Sequence, residues 1–371
     1  MTTAVSADSY KAEPLHSGKK VPEFGMLNEV PESQVWNNEE GNYKGQALED
    51  IGAEVLPLID LAKADAPKLV KQCCKSSGFF QITNHGIPLA VLQNMESASV
   101  DLFSLPMEQK MKAAREPGSL TGYGTFPIAS YLRQNLWSEC LTVFGSPLQD
   151  AHQIWPDQSQ EHSKFCDVVE EYKQKMRELA LRIWSLVLEA LRITKDDIEW
   201  AGPNRDFEGT DGVLNLNFYP VCPEPERAIG VPPHTDSSLI TLLHQSSTSG
   251  LQVFLKGTGW VLVPPMTGAL IVFVGDLLQI MSNGLYRSPL HKAVVNRAEN
   301  RLSFAFLVGP PRIAQIGPHP KIVGPSNPPL YPTVTWSEFL SLKAKFRNDT
   351  LPSIQLVNSE NDSTEIGIKE P

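Results

Sequence analysis

Between Leu214 and Pro311 the chain is a succession of short runs of Val, Ile, Leu and Phe, each broken at Pro or Gly. Such runs are too short for helices and carry turn residues at both ends, so they fold as strands. Many short strands of this kind pack as a sandwich or jelly roll. At 371 residues with 41% hydrophobic content the chain can bury a sizeable core around them.

Three side chains stand out in this stretch: His234, Asp236 and, 55 residues further on, His291. Residues two apart on an extended strand face the same side, so His234 and Asp236 can turn an imidazole and a carboxylate toward one point. A third ligand from a distant strand completes the set. Two histidines and one carboxylate on one face of a metal, with the other positions open, describe the facial triad of non-haem Fe(II) oxygenases. Arg301 and Ser303 are again two apart in an apolar run, so a guanidinium and a hydroxyl can both donate to one carboxylate. Tyr219 can add a donor from an earlier strand, and Asn217 shares its face. An arginine fork binds a carboxylate with charge-assisted bonds of roughly 1.5–3 kcal/mol each. A buried acidic co-substrate is therefore implied.

The residues around these positions carry a resemblance. The strings LNLNFYPVCPEPERAIGVPPHTDSSLITLLHQSSTSGLQVF and GWVLVPPMTGALIVFVGDLLQIMSNGLYRSPLHKAVVNRAENRLSFAFLVGPP resemble the plant 2-oxoglutarate- and Fe(II)-dependent dioxygenases. Gly78-Phe79-Phe80-Gln81-Ile82 and Asn84-His85-Gly86-Ile87-Pro88 resemble the same family's N-terminal region, and the likeness extends from about Leu56 to about Lys345. Within the family, LLHQSSTSGLQVF, LWSE at Leu136 to Glu139, FCDVVEEY at Phe165 to Tyr172 and PLYPTVTWSEFL at Pro329 to Leu340 are most similar to gibberellin 3-oxidases.

That resemblance implies a mainly β core with flanking helices, a double-stranded β-helix of the isopenicillin N synthase-like type. It implies Fe(II) on His234, Asp236 and His291, with 2-oxoglutarate held by Arg301, Ser303, Tyr219 and Asn217. O2 would be consumed, succinate and CO2 released, and ascorbate would support activity. The implied reaction is 3β hydroxylation of a gibberellin-type diterpenoid acid. A 2-oxidase, a 20-oxidase, a hydroxylase of another diterpenoid acid and a non-catalytic receptor on the same scaffold stand as alternatives. Arg133, Trp137 and Glu139 are candidates for shaping the substrate pocket, with Arg133 the candidate contact for the substrate's carboxylate. Three positions depart from the gibberellin 3-oxidase pattern: Pro232-Pro233 before the His-Thr-Asp, Gln279, and Arg133-Gln134-Asn135. They bear on regiochemistry and leave the iron chemistry untouched.

A formal net charge of −10 argues against nucleic-acid or anionic-membrane partners, which rest on basic patches. The five cysteines form no C-x-x-C pair, which points to a reducing compartment. The first 20 residues lack the marks of a signal or transit peptide, and no apolar run is membrane-spanning in length, so a cytoplasmic monomer is expected.

The expected organisation is a flexible arm over residues 1–50, a helical N-terminal region over 51–200, the jelly-roll domain over 205–312, a C-terminal segment with a helix over 313–350, and a disordered tail over 351–371. Apolar spacing predicts helices from Ala66 to Lys75, from Leu89 to Phe103 and from Phe165 to Leu191, the last one long and bracing the sheet. Thr335 with Glu338 predicts a capping box. His85, His244 and Asp276 are read as structural, Asp276 as a turn residue holding its own backbone.

Overall fold

The computed structural model describes residues 21–356 apart from 37–55, 117–118, 120, 128–131, 157–159, 206 and 208–209. Its first half alternates strand and helix: β1 (Leu58–Asp60), α1 (Ala66–Ser76), β2 (Phe79–Thr83), α2 (Leu89–Phe103), α3 (Met107–Lys110), β3 (Gly122–Gly124), β4 (Glu139–Phe144), α4 (Leu148–Ile154) and α5 (Gln160–Leu191). Strands then dominate: β5 (Asp211–Tyr219), β6 (Val231–His234), β7 (Ile240–Gln245), β8 (Leu251–Leu255), β9 (Gly259–Leu262) and β10 (Leu270–Val274). After α6 (Asp276–Met281) come β11 (His291–Ala293), β12 (Arg301–Gly309), β13 (Gln315–Ile316), β14 (Val334–Thr335), α7 (Trp336–Phe346) and α8 (Thr350–Ile354).

Two sheets form the core, an eight-stranded one in the order β1-β2-β10-β7-β12-β5-β4-β3 and a four-stranded one in the order β6-β11-β8-β9. Their inner faces meet over Phe79, Leu243, Leu251, Val253, Val261, Ile271 and Phe273. Alternate residues of each strand enter this layer, which is how period-two patterning becomes a packed sandwich. This is the jelly-roll core with flanking helices that the strand-rich texture predicts.

α5 braces the eight-stranded sheet from outside through buried Phe165, Val169, Tyr172, Met176, Leu179, Ile183 and Val187. It begins five residues before the predicted Phe165, because the polar first turn carries no apolar signal. α2 has the predicted limits. At α7, Thr335 Oγ1 accepts from Glu338 N at 3.1 Å while Glu338 Oε2 accepts from Thr335 N at 2.7 Å, the expected reciprocal cap.

Three expectations about organisation change. The N-terminal region is not only helical: beside β2, the strand that the run Phe79 to Thr83 itself reads as, β1, β3 and β4 join the large sheet, β2 pairing with β10 and β4 with β5. Part of the expected arm is packed, since Phe24 lies 4.9 Å from the Trp137 ring and Val30 N donates to Glu224 Oε2 at 2.8 Å. The remainder of that arm, 1–20 and 37–50, lies outside the described residues. The expected tail starts too early, because α8 buries Thr350 and Leu351, and Leu356 N donates to Leu330 O at 2.8 Å. Residues 357–371 also lie outside the described set. All five cysteines are buried and unpaired. Among the described residues no helix is long and apolar enough to cross a membrane.

Candidate metal centre and carboxylate clamp

His234 closes β6 and His291 opens β11, and the two are direct cross-strand partners. Asp236 lies beyond the end of β6, so strand alternation is not what turns its carboxylate inward. A turn does: Asp276 N donates to Asp236 O at 2.7 Å. Asp236 Oδ1 is 3.8 Å from Nε2 of each histidine, and ligand atoms of the three residues all lie within 4.8 Å of one another. His234 Nδ1 is 2.9 Å from Pro232 O and His291 Nδ1 is 3.2 Å from Pro289 O. A carbonyl can only accept, so each Nδ1 carries the proton and each Nε2 lone pair faces the shared point. Burial, and then the neighbouring His291, hold the His234 imidazole below its ordinary range and keep it in the neutral, ligating form. Phe273 stacks on the His291 ring at 4.5 Å. Asp236 Oδ2 is buried with no hydrogen-bond partner, an acceptor that a cation would satisfy.

Antiparallel register builds the second half of the site. On β12 and β5, Arg301 faces Tyr219, Ser303 faces Asn217 and Ala305 faces Asn215. All six line the cavity that also holds the triad. Arg301 is 1% exposed; its Nη2 donates to Gln245 Oε1 at 2.8 Å, while Nε and Nη1 have no partner. Its guanidinium lies over the Tyr219 ring at 4.9 Å. Ser303 Oγ donates to Tyr219 OH at 3.4 Å, and Asn217 Nδ2 donates to Ser303 Oγ at 3.4 Å. Gly250 is required beneath the arginine, since a Cβ there would sit 2.7 Å from Arg301 Cδ. A buried guanidinium with free donors and no counter-ion is costly unless a carboxylate arrives to pair with it. The residues thus fit both an Fe(II) ion and a dicarboxylic co-substrate.

Comparison with known proteins agrees with this chemistry. The sequence model of the 2OG-Fe(II) oxygenase superfamily matches residues 210–310, and that of the non-haem dioxygenase in morphine synthesis N-terminal region matches 56–162. Gibberellin 3-beta-dioxygenase 1 of Pisum sativum is 44% identical, over 94% of this chain and 93% of its own length. Gibberellin 3-beta-dioxygenase 1 of Arabidopsis thaliana is also 44% identical, over 95% of this chain and 98% of its own. The chain belongs to the 2OG-Fe(II) oxygenase superfamily. Among solved structures, JOX2 in complex with 2OG, Fe and JA superposes with a TM-score of 0.74 at 25% identity, over 96% of this chain and 99% of that one. The rice dioxygenase for auxin oxidation shares the fold, with a TM-score of 0.66 at 22% identity, over 81% and 100%.

This dioxygenase does not bring its three substrate-pocket candidates to the cavity. Trp137 is fully buried, packs on Phe24 and donates its indole N–H to Pro220 O at 3.1 Å. Glu139 is buried against Lys110 Nζ at 2.6 Å and also accepts from the Tyr123 hydroxyl, so its charge serves an internal ion pair. Arg133 is exposed. None of the three lines the cavity. His85, bonded to Gly268 O at 2.8 Å, and His244, 3.0 Å from Glu96 Oε1, keep their structural reading. Gln279 binds Tyr331 OH and Ser288 N, away from the cavity.

Asp276 is corrected: it pairs with Lys343 Nζ of α7 at 2.6 Å and accepts from Thr235 Oγ1 at 3.1 Å, behind the turn that carries Asp236. Lys343 and Gln245 are supporting residues that the pattern did not reveal. So is Phe126, whose ring is 5.6 Å from His234. Gln245 becomes legible once the β7–β12 register sets it opposite Ser303.

Proposed function

We propose that this dioxygenase hydroxylates a gibberellin-type diterpenoid acid at the 3β position, with His234, Asp236 and His291 holding Fe(II) and the Arg301 group holding 2-oxoglutarate. The observation that carries the reading is the buried Arg301 guanidinium with two unpartnered nitrogens, Nε and Nη1, in one cavity with two histidines and an aspartate whose ligand atoms converge. Bound Fe(II) would supply the oxygen chemistry, coupling conversion of 2-oxoglutarate into succinate and CO2 to hydroxylation of a substrate C–H bond.

The chain's own residues bind, orient and exclude water. Arg301, Ser303, Tyr219 and Asn217 fix the co-substrate's far carboxylate by charge-assisted and neutral hydrogen bonds. Pro232 O and Pro289 O keep both imidazoles in the tautomer that presents Nε2. Phe126 and Phe273 wall the centre with apolar surface. The relatives named as gibberellin 3-beta-dioxygenases support the substrate assignment. Ascorbate is read as a supporting reductant, and the working form as a cytoplasmic monomer.

The test is anaerobic addition of Fe(II) and 2-oxoglutarate, followed by aerobic incubation with a panel of gibberellins and related diterpenoid acids and product identification by mass spectrometry. A visible charge-transfer band that Asp236→Ala abolishes, and a 3β-hydroxylated product, are expected. Products hydroxylated at C-2 or oxidised at C-20 would reassign the regiochemistry, while ligand binding without succinate formation would favour a receptor.

A further inference from the structure

Along the inner face of β12 the cavity-lining residues run Arg301, Ser303, Ala305 and Leu307. Their β5 partners run Tyr219, Asn217 and Asn215, so Asn215 stands one row, about 7 Å, beyond the carboxylate clamp. Around that row the cavity wall turns apolar, with Ala305, Leu307, Leu243 and Phe126. Thr241, opposite Leu307, is tied to Ser238 Oγ at 3.0 Å, and Asn215, 4% exposed, is the other polar residue there.

The orientation of its amide follows from the donors and acceptors behind it. Arg115 Nη2 donates to Thr142 Oγ1 at 3.0 Å, and a guanidinium cannot accept. The Thr142 hydroxyl donates to Asn215 Oδ1 at 2.8 Å, a shorter and stronger contact than the 3.5 Å to Cys140 Sγ, so Oδ1 is the atom facing Thr142. Nδ2 is left on the other side with no hydrogen-bond partner among the described residues. Asn215 lines the cavity, so an amide N–H2 with no protein acceptor there can donate to an oxygen that enters it. Arg115 also donates to Thr125 O at 2.7 Å, next to Phe126, so one guanidinium sets both the polar and the apolar part of this wall.

We propose that the Asn215 N–H2 group is a specificity contact for an acceptor oxygen of the primary substrate, with Thr142 and Arg115 as its positioning residues. This rests on the hydroxylase reading above. It takes the part expected of Arg133, which does not line the cavity.

The experiment compares wild type, Asn215→Leu, Asn215→Asp and Thr142→Val, using whichever acid of the diterpenoid panel the wild type oxidises. Asn215→Leu is expected to raise KM for that acid by about tenfold or more, while KM for 2-oxoglutarate stays within about twofold. Asn215→Asp, which sets a carboxylate against an acceptor, should weaken the acid at least as much and covers the case in which the leucine variant fails to fold. Thr142→Val should produce a smaller rise that vanishes in the Asn215→Leu background, a coupling that loss of packing alone would not give. An unchanged KM for the acid in both Asn215 variants would overturn the inference. So would a matching loss of 2-oxoglutarate affinity, read anaerobically from the visible band without any primary substrate. Failure of the wild type on every diterpenoid would instead sink the substrate reading, and the anaerobic titration still judges Asn215 against the clamp.

Discussion

Arg301 carries a charge to a place that water does not reach, and only one of its donor groups is answered by the protein. A cation in that position lowers the stability of the empty protein and becomes an asset once a carboxylate binds. Arg301→Met should therefore raise the melting temperature of the metal-free protein, by the equivalent of about 1 kcal/mol or more, while abolishing the further rise given by Mn(II) with 2-oxoglutarate. Thermal melts of both proteins, with and without the pair of ligands, decide it; a variant that melts lower when empty contradicts the argument. Arg301→Lys keeps the charge but not the fork, and a rise in 2-oxoglutarate KM of about 100-fold is expected. His234 gives a pH signature. Its imidazole is held below its ordinary 6.5 in the fold, so on acidification the unfolded chain takes up the proton first. Stability of the metal-free protein is then complete above pH 6.5 and declines as the pH falls below it. Urea midpoints measured across that range should show the decline in wild type and a shallower one in His234→Gln. Proton competition with metal follows the folded imidazole instead, which is held down to about 3, so affinity for Mn(II) should persist below pH 6.5 and fall only as the pH approaches that value.

Elements differed in how much of them the sequence exposed, for a physical reason. α2 and the start of α7 are governed by local chemistry, apolar spacing in one case and a Thr-Glu cap in the other, and both stand where the pattern puts them. The shared side of Arg301 and Ser303 was legible too, because they lie two apart on a strand that does form. The turn holding Asp236 was not. His234 and Asp236 look like alternate strand residues, yet β6 ends at His234 and the carboxylate is aimed by groups far away in sequence, Asp276 and Lys343. Nothing local to the His-Thr-Asp run encodes a lysine on the C-terminal helix. Asn348 Nδ2 adds a bond to Pro233 O at 2.9 Å, so the end of the chain clasps the turn that carries Asp236 from outside. Lys343→Met leaves Asp276 buried and unpaired, and a loss of about 3 kcal/mol is expected from the urea midpoint. Mn(II) affinity should weaken by about tenfold, with the melting loss partly recovered in Lys343→Met/Asp276→Asn. Unaltered metal binding in a folded Lys343→Met protein would remove α7 from any part in the site.

At the scale of the molecule, the texture of the sequence suggests a boundary that the topology does not respect. Short apolar runs begin in earnest at Leu214, and residues 205–312 read as a domain beside a helical region. In the fold, β2 lies between β1 and β10 near one edge of the large sheet, while β4 and β3 extend its other edge beyond β5. Phe79 and Phe80 on β2 are fully buried, and Phe79 stacks on Phe273 of β10 at 5.9 Å. Strand pairing is period two and says nothing about which distant strand a run will join, so this arrangement could not be read from spacing alone. It has a direct consequence. A fragment of residues 205–312 would lose its partners on both flanks of the large sheet, leaving β10 and β5 as bare edges, and would also lose the α5 face that covers β7 and β12. Unpaired edges beside uncovered apolar surface favour association over folding. The fragment is therefore expected to aggregate or to lack the cooperative unfolding transition of the full chain, as read by sedimentation and by circular dichroism in urea. Adding residues 56–204 and 313–356 on the same chain should restore it, because only then are the Asp236 turn with its Lys343 support, the Arg301 group and the sheet that aligns them parts of one cooperative structure. A soluble 205–312 fragment that unfolds cooperatively and binds Mn(II) would mean that the site is assembled by the jelly roll alone, with the N-terminal strands an addition to it.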